Sequence, residues 1–284
     1  MSPPAPPRAL LGVLAATAVA LLAQAIPAVN KHISHETCLE STGSPSLPFL
    51  SYPLNQALCA FNVTFSQAYS TAGGRLLIGA FGGFFPSAAF ALLHAGAVRG
   101  ALVLLVGQLV PVCIVYPGYF AVAAPKLGDE PWPALAGVAL GYLLPGVLAL
   151  RSGLAYGPLA AWQVYPLYVL AVAGALSPFS FGARRVALGL AAVLCAAVSA
   201  AAHLPLLAAL ASGEITPADA FWPAQDTFAG AALWVFVVDY VVVVAASLAL
   251  VAPRSGAGRA ALLATSALLG PGAGVILFFV ARVW

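Results

Sequence analysis

The chain has 284 residues, of which 62% are hydrophobic and 7% charged, with a mean hydropathy of +1.01. A soluble domain carries about 25% charged residues, so a water-soluble globule is excluded and an integral membrane protein is expected. The net charge of +3 comes from scattered basic residues and one Arg184-Arg185 pair, with no basic stripe, which excludes nucleic acid as a partner.

The runs 9–30, 76–98, 100–125, 131–150, 152–183, 186–213 and 260–281 contain no Asp, Glu, Lys or Arg. Each is long enough to cross a bilayer, for which about 20 apolar residues suffice. They are solidly apolar rather than alternating, which predicts helices instead of barrel strands. The expected fold class is all-α, a polytopic transmembrane helical bundle of about 8 spans forming a single domain over 1–284, with no internal repeat. The spans are predicted near 9–29, 76–98, 101–123, 133–150, 158–177, 186–210, 228–251 and 260–281.

The first run, led by Arg8 and containing Ala23-Gln24-Ala25, has features of a signal peptide, but its length up to Pro27 favours a retained helix. A polar connection over 31–52 follows, carrying Lys31, His32, His35, Glu36 and Glu40. In 53–70, Asn55, Asn62 and Ser66 fall on one helical face, which predicts an interfacial or bundle-lining helix. The sequon Asn62-Val63-Thr64 lies in this helix and is expected to be inaccessible. Cys113 and Cys195 read as buried hydrophobes, whereas Cys38 and Cys59 flank a polar stretch and would pair only on the lumenal side. No Cys/His spacing suggests a metal site.

Orientation follows from the basic residues. Eight spans put Lys31, Arg75, Lys126, Arg184, Arg185, Arg254 and Arg259 on one side against Arg8, Arg99, Arg151 and Arg282, with the N-terminus outside. If 53–70 also crosses, the count becomes nine and the N-terminus moves inside. In both cases the loop 211–227, with Glu214, Asp219 and Asp226, lies on the non-cytoplasmic side.

Asp239 stands in the middle of the apolar segment Thr227 to Pro253. An ionised Asp at a helix centre costs roughly 2.5–3.5 kcal/mol on insertion scales, so such residues face the bundle interior and mark working sites or act as interhelical hydrogen-bond glue. Phe236 and Val243 flank it on its own face. A carboxyl in apolar surroundings tends to hold its proton and can then donate it. Candidate polar partners in other spans are Gln108, Tyr116, Gln163, Tyr165 and His203; Gln108 and Tyr116 are placed to share a helix face, with Pro111 and Pro117 distorting it. Trp162 and Trp234 lie deep enough to stabilise a carbocation or simply to pack a core, while Trp132 and Trp284 mark span ends. No Asp-rich cluster, P-loop or G-x-S-x-G is present, so a magnesium-diphosphate ionising site lacks its ligands and no cofactor or metal is expected.

The pieces VGQLVPVCIVYPGYF (106–120), AGVALGYLLPGVLA (136–149), AWQVYPLYV (161–169), HLPLL (203–207), ALWVFVVDYVVVVAASLAL (232–250) and LGPGAGVILFFVAR (269–282) resemble the membrane-bound terpene cyclases of fungal meroterpenoid biosynthesis, ascofuranone type. The likeness runs over about 45–282 as order and spacing rather than as one diagnostic string. It implies an isomerase that protonates the epoxide, or the terminal alkene, of a farnesylated aromatic precursor and so drives its cyclisation. The implied partners are that lipophilic epoxyfarnesyl-aromatic substrate, membrane lipid and other enzymes of the pathway, and the implied location is the endoplasmic reticulum membrane. Asp239 matches the family's intramembrane acid. Where related chains are expected to carry an acid near the start of the polar helix, this one has Asn55.

The catalytic residues expected on this reading are Asp239 as general acid, with Gln108, and with His203 or Tyr116 taking the last proton. Trp234, Trp162, Phe85 and Gln163 are expected to line the substrate cavity. The competing class is a proton-coupled multipass transporter with Asp239 as relay and Pro271, in Gly270-Pro271-Gly272, as a helix break.

Overall fold

A chain this apolar must satisfy its backbone within itself, and helices do that segment by segment. The computed structural model describes residues 8–33, 52–122, 130–152, 156–179 and 181–284, and among these there is no strand. Asn55 lies in a described helix, but its side chain, with His35, Glu36, Cys38, Glu40, Lys126 and Asp129, falls outside the described residues.

The helices, in chain order, are α1 (Arg8–Asn30), α2 (Tyr52–Ser70), α3 (Ala72–His94), α4 (Ala97–Leu109), α5 (Val112–Val122), α6 (Trp132–Arg151), α7 (Tyr156–Gln163), α8 (Tyr165–Leu176), α9 (Arg184–Ser212), α10 (Pro217–Phe221), α11 (Phe228–Val251), α12 (Gly256–Leu269) and α13 (Pro271–Val283). Five of them, α1, α3, α6, α9 and α11, are long and apolar enough to cross a membrane. Caps match the sequence: Thr71, Thr227 and Ser255 each accept the N–H of a glycine three residues on. Thr216 and Asp219 form a reciprocal capping box at α10, and the Thr216 N–H and hydroxyl donated to the Asp219 carboxylate hold its pKa below the usual range.

Small residues set the central packing. α3 and α9 run antiparallel in close contact: a Cβ added at Gly83 would collide with Ala202 and stand 2.9 Å from the Val198 carbonyl. Ser199 of α9 is also close to Gly270 and Gly272, so α13 packs into the same seam. Close approach through glycine, serine and alanine is how helices associate where no water drives them together.

Two apolar runs expected to be single spans fold back instead. α4 starts beside the end of α3, where Gly100 meets Leu92 and Leu93, and it ends level with Phe85, because Gln108 reaches Tyr165 and Tyr165 packs on Phe85. After Val110-Pro111 the chain reverses. α5 runs alongside α11, with Cys113 beside Asp239 and Tyr116 bonded to Ser247. Likewise α12 and α13 reverse at Gly270, whose φ of 90° suits glycine, and Leu262 and Ser266 face Gly274 across the hairpin. Arg184 of α9 donates to the Val283 carbonyl and Arg282 to the Leu250 carbonyl of α11, which ties the hairpin's outer end to both helices. These helices have 13, 11, 14 and 13 residues. At 1.5 Å per residue each covers roughly 16–21 Å, less than the ~30 Å hydrocarbon core.

The two hairpins also overturn the expectation of no repeat. Gly96-Ala97-x-Arg99-x-Ala101-Leu102 leading to Leu109-x-Pro111 recurs at constant spacing as Gly256-Ala257-x-Arg259-x-Ala261-Leu262 leading to Leu269-x-Pro271. Each copy follows a Thr-capped long helix, α3 or α11. The expected shared face of Gln108 and Tyr116 is corrected too, because the reversal places them on different helices. Folding back gathers Arg8, Arg99, Arg184, Arg185, Arg254, Arg259 and Arg282 at one end of the bundle. Lys31, Arg75 and Arg151 lie at the other end, with Glu214, Asp219 and Asp226. The side assignment that separated Arg8, Arg99 and Arg282 from Arg184, Arg185, Arg254 and Arg259 is therefore corrected.

Candidate functional site

Asp239 lines a cavity of about 370 Å³ that extends from the α4–α5 reversal towards Asn30 and Ile33 at the end of α1. Each wall has its own local reason. α3 contributes Ile78, Phe81, Gly82 and Phe85, one face of an ideal helix, and α2 contributes Ala60, Phe61, Thr64 and Phe65. α11 presents Val235, Phe236 and Asp239 together. The π turn Gly137–Leu143 in α6 carries Tyr142 into the wall, and Gly141 there lets α6 approach the α8 backbone so closely that an added Cβ would stand 2.6 Å from the Val169 nitrogen. Gln163 and Tyr165 are two apart and would point in different directions on one helix. They both reach the cavity because the chain breaks at Val164, just before α8 starts at Tyr165 with Pro166 in its first turn.

The rings form a continuous lining. Tyr142 packs on Tyr165 at 4.9 Å between centroids, on Phe85 at 5.2 Å and on Trp162 at 5.8 Å. Phe65 meets Trp162 at 5.9 Å and Phe236 at 5.7 Å, both edge to face. Polar groups are few. The Cys113 backbone N–H donates to Asp239 Oδ1 at 3.1 Å, the Gln108 amide donates to the Tyr165 hydroxyl at 3.3 Å, and Gln163 supplies a second amide. Among the described lining residues Asp239 carries the one carboxyl, and no imidazole is present. No group of three or more His, Cys, Asp or Glu able to hold a metal occurs among the described residues.

Of the residues expected at the site, Asp239, Gln108, Trp162, Phe85 and Gln163 come together around this cavity. Three do not. Tyr116 is fully buried on the far side of α5, bonded to Ser247 at 3.1 Å. The His203 ring faces the tip of the second hairpin, with Nε2 3.2 Å from the Ala267 carbonyl. Trp234 turns away from the Asp239 face, since residues five apart on a helix do not align, and packs on exposed Trp222 at 5.7 Å. Phe61, Phe65, Phe81, Tyr142 and Phe236 are the lining rings that the sequence reading did not assign to the cavity. For Phe236 the signal was present, three residues before Asp239 on its own face.

Asn62 is 2% exposed, which suits the expected inaccessibility of its sequon, and Cys113 and Cys195 are buried free thiols. Cys59 is disulfide-bonded. No protein-family model, curated protein or solved structure matches this chain.

Proposed function

We propose that the chain is an integral-membrane terpene cyclase, with Asp239 as the acid that opens the epoxide of a farnesylated aromatic substrate. The observation that carries this reading is one carboxyl at the inner end of an aromatic-walled cavity inside an apolar bundle. Proton transfer to the epoxide oxygen breaks the tertiary C–O bond and leaves a cation. The faces of Phe65, Phe85, Trp162 and Phe236 offer negative π density to that cation while neighbouring alkenes or a substrate hydroxyl capture it. The volume lies within the range of ligand pockets, about 300–1,000 Å³. The same carboxylate can take back the proton released at the last step, so neither His203 nor Tyr116 is required.

The test is incubation with an epoxyfarnesyl-phenol in excess EDTA. Isomerisation is expected to continue, and a requirement for an added divalent metal would overturn epoxide protonation by Asp239. Run in D₂O, epoxide opening leaves deuterium only on oxygen, where it washes out, whereas direct alkene protonation leaves a product heavier by one carbon-bound deuteron.

The membrane arrangement that fits this reading has six crossings, with α7 and α8 together making one, plus two re-entrant hairpins and α2 along the cavity. The end bearing seven arginines is then cytoplasmic and the acidic loop lumenal, in the endoplasmic reticulum. A disulfide at Cys59 suits a lumenal position. A cysteine placed at exposed Ser212 is expected to react with an impermeant maleimide only from the lumenal face of sealed vesicles, and cytosolic labelling would reverse the orientation.

The repeated broken hairpins favour one second reading, a proton-coupled carrier, because such proteins place helix breaks from paired repeats at mid-membrane. On that reading an epoxyfarnesyl-phenol passes through or stays unchanged, and no isomer forms.

A further inference from the structure

The α4–α5 hairpin has no role yet in the chemistry, although its tip stands against Asp239. Its sequence stops one helix at Leu109 and starts another at Val112, so an α5 N-terminus with unpaired N–H groups is created inside the bundle rather than at its surface. One of those groups, the Cys113 N–H, donates to Asp239 Oδ1 at 3.1 Å. Gly107, Gln108, Pro111 and Val112 of the same reversal line the cavity, so the tip, the carboxyl and the substrate space are contiguous. An unbroken helix over 97–122 would have no free N–H at this depth, since each would be used four residues back.

Resting on the cyclase reading, we propose that the re-entrant α5 N-terminus is a positioning element for the acid: the Cys113 N–H fixes the Asp239 carboxyl towards the cavity and holds the negative charge it acquires between the two proton transfers. In the first transfer the carboxyl O–H proton passes to the epoxide oxygen and the C–O bond breaks, which leaves a carboxylate and a carbon cation. In the last, a proton from carbon, or from the capturing hydroxyl, returns to that carboxylate, so atoms and charge balance with no co-reactant. Between them the anion sits among aromatic and aliphatic walls with few polar groups, and a backbone donor at the positive end of a helix is preorganised to hold it. Half-helix N-termini serve anionic groups in the same way at the midplane of transporters. The thiol of Cys113 also lies within reach of Asp239, so the backbone and side-chain contributions of this residue have to be separated.

Substitution at this position separates the two groups. Cys113→Pro deletes the N–H at the second residue of a helix, where proline is tolerated, whereas Cys113→Ala keeps the N–H and deletes the thiol. A hydrogen bond to a charged group is worth enough that Cys113→Pro is expected to lower kcat by about ten- to a hundredfold with KM little changed. Cys113→Ala removes the thiol beside Asp239 but keeps the N–H donor, so it is expected to lose clearly less than the proline variant. A proline variant that accumulates and keeps kcat within about threefold, below that range, overturns the proposal, and so does an alanine variant that loses as much as the proline one. If the proline variant does not accumulate, ¹⁵N-cysteine labelling of the wild type decides. With four cysteines in the chain, the Cys113 amide proton should lie downfield and shift on Asp239→Asn, and an unmoved resonance overturns the contact. The amide signal does not depend on turnover, so a chain that shows it yet never isomerises substrate refutes the cyclase reading and not the contact.

Discussion

Asp239→Asn is expected to lower turnover at least about a hundredfold while the protein still inserts and accumulates, since general acid catalysis contributes typically 10²–10⁴-fold. The effect is large because the cavity has no substitute donor of comparable acidity. Among the described lining residues the remaining hydroxyl and amide donors are Asn30, Thr64, Gln108, Tyr142, Gln163 and Tyr165, none of which is a carboxylic acid. Asn keeps the shape of the side chain and an oxygen that can still accept the Cys113 N–H, so a purely structural contact would survive. Asp239→Glu keeps the acid and moves its tip by one methylene. It should retain a fraction of activity, since a displacement of ~1 Å can cost 10²-fold. Turnover assays on membranes with matched protein levels separate the outcomes. Activity of the Asn variant within about threefold of wild type, far below the range for acid catalysis, would make Asp239 interhelical glue.

Gly83→Leu is expected to be the most damaging substitution for the fold away from the site. The α3–α9 contact leaves no room for a side chain: even a Cβ would collide with Ala202 and stand 2.9 Å from the Val198 carbonyl, and backbone cannot swing aside as a flexible side chain does. Overpacking costs typically 1–3 kcal/mol and more where backbone must move, which corresponds to at least about 2–5 °C in Tm for a chain of this size. Gly79, one turn earlier on α3, has nothing within 4 Å of its added Cβ, so Gly79→Leu is the matched control and should leave Tm unchanged. Thermal unfolding in detergent compares the two. Equal Tm values would mean that α3 and α9 are not packed through Gly83.

Composition and apolar runs made the helical membrane class legible, and the depth of Asp239 in its segment pointed to the cavity. The two chain reversals were not legible, because a hydropathy reading sees a run of apolar residues and not the direction of the chain through it. Residues 97–122 and 256–283 are each long enough for one span. Their reversals are marked only by Val110-Pro111 and Gly270-Pro271, dipeptides that also occur as kinks. The same blindness put Tyr116 beside Gln108. The cavity wall was half legible: residue type drew attention to Trp234, whereas helical phase relative to Asp239 selects Phe236. Gln163 and Tyr165 could be brought together only by a break at Val164 that no local signal other than Pro166 announces. The repeat was obscured by low identity outside the Gly-Ala-x-Arg starts and the Leu-x-Pro turns.

Isomerisation of a lipophilic epoxide inside the bundle is read out in a single incubation. Membranes carrying the chain, and matched membranes lacking it, are incubated with an epoxyfarnesyl-phenol and the extracts resolved by mass and retention. The expected result is a product of unchanged mass and altered retention that forms only with the chain present. Substrate recovered unchanged from both membranes, at protein levels where folded chain is demonstrated by thermal unfolding, would contradict the cyclase reading.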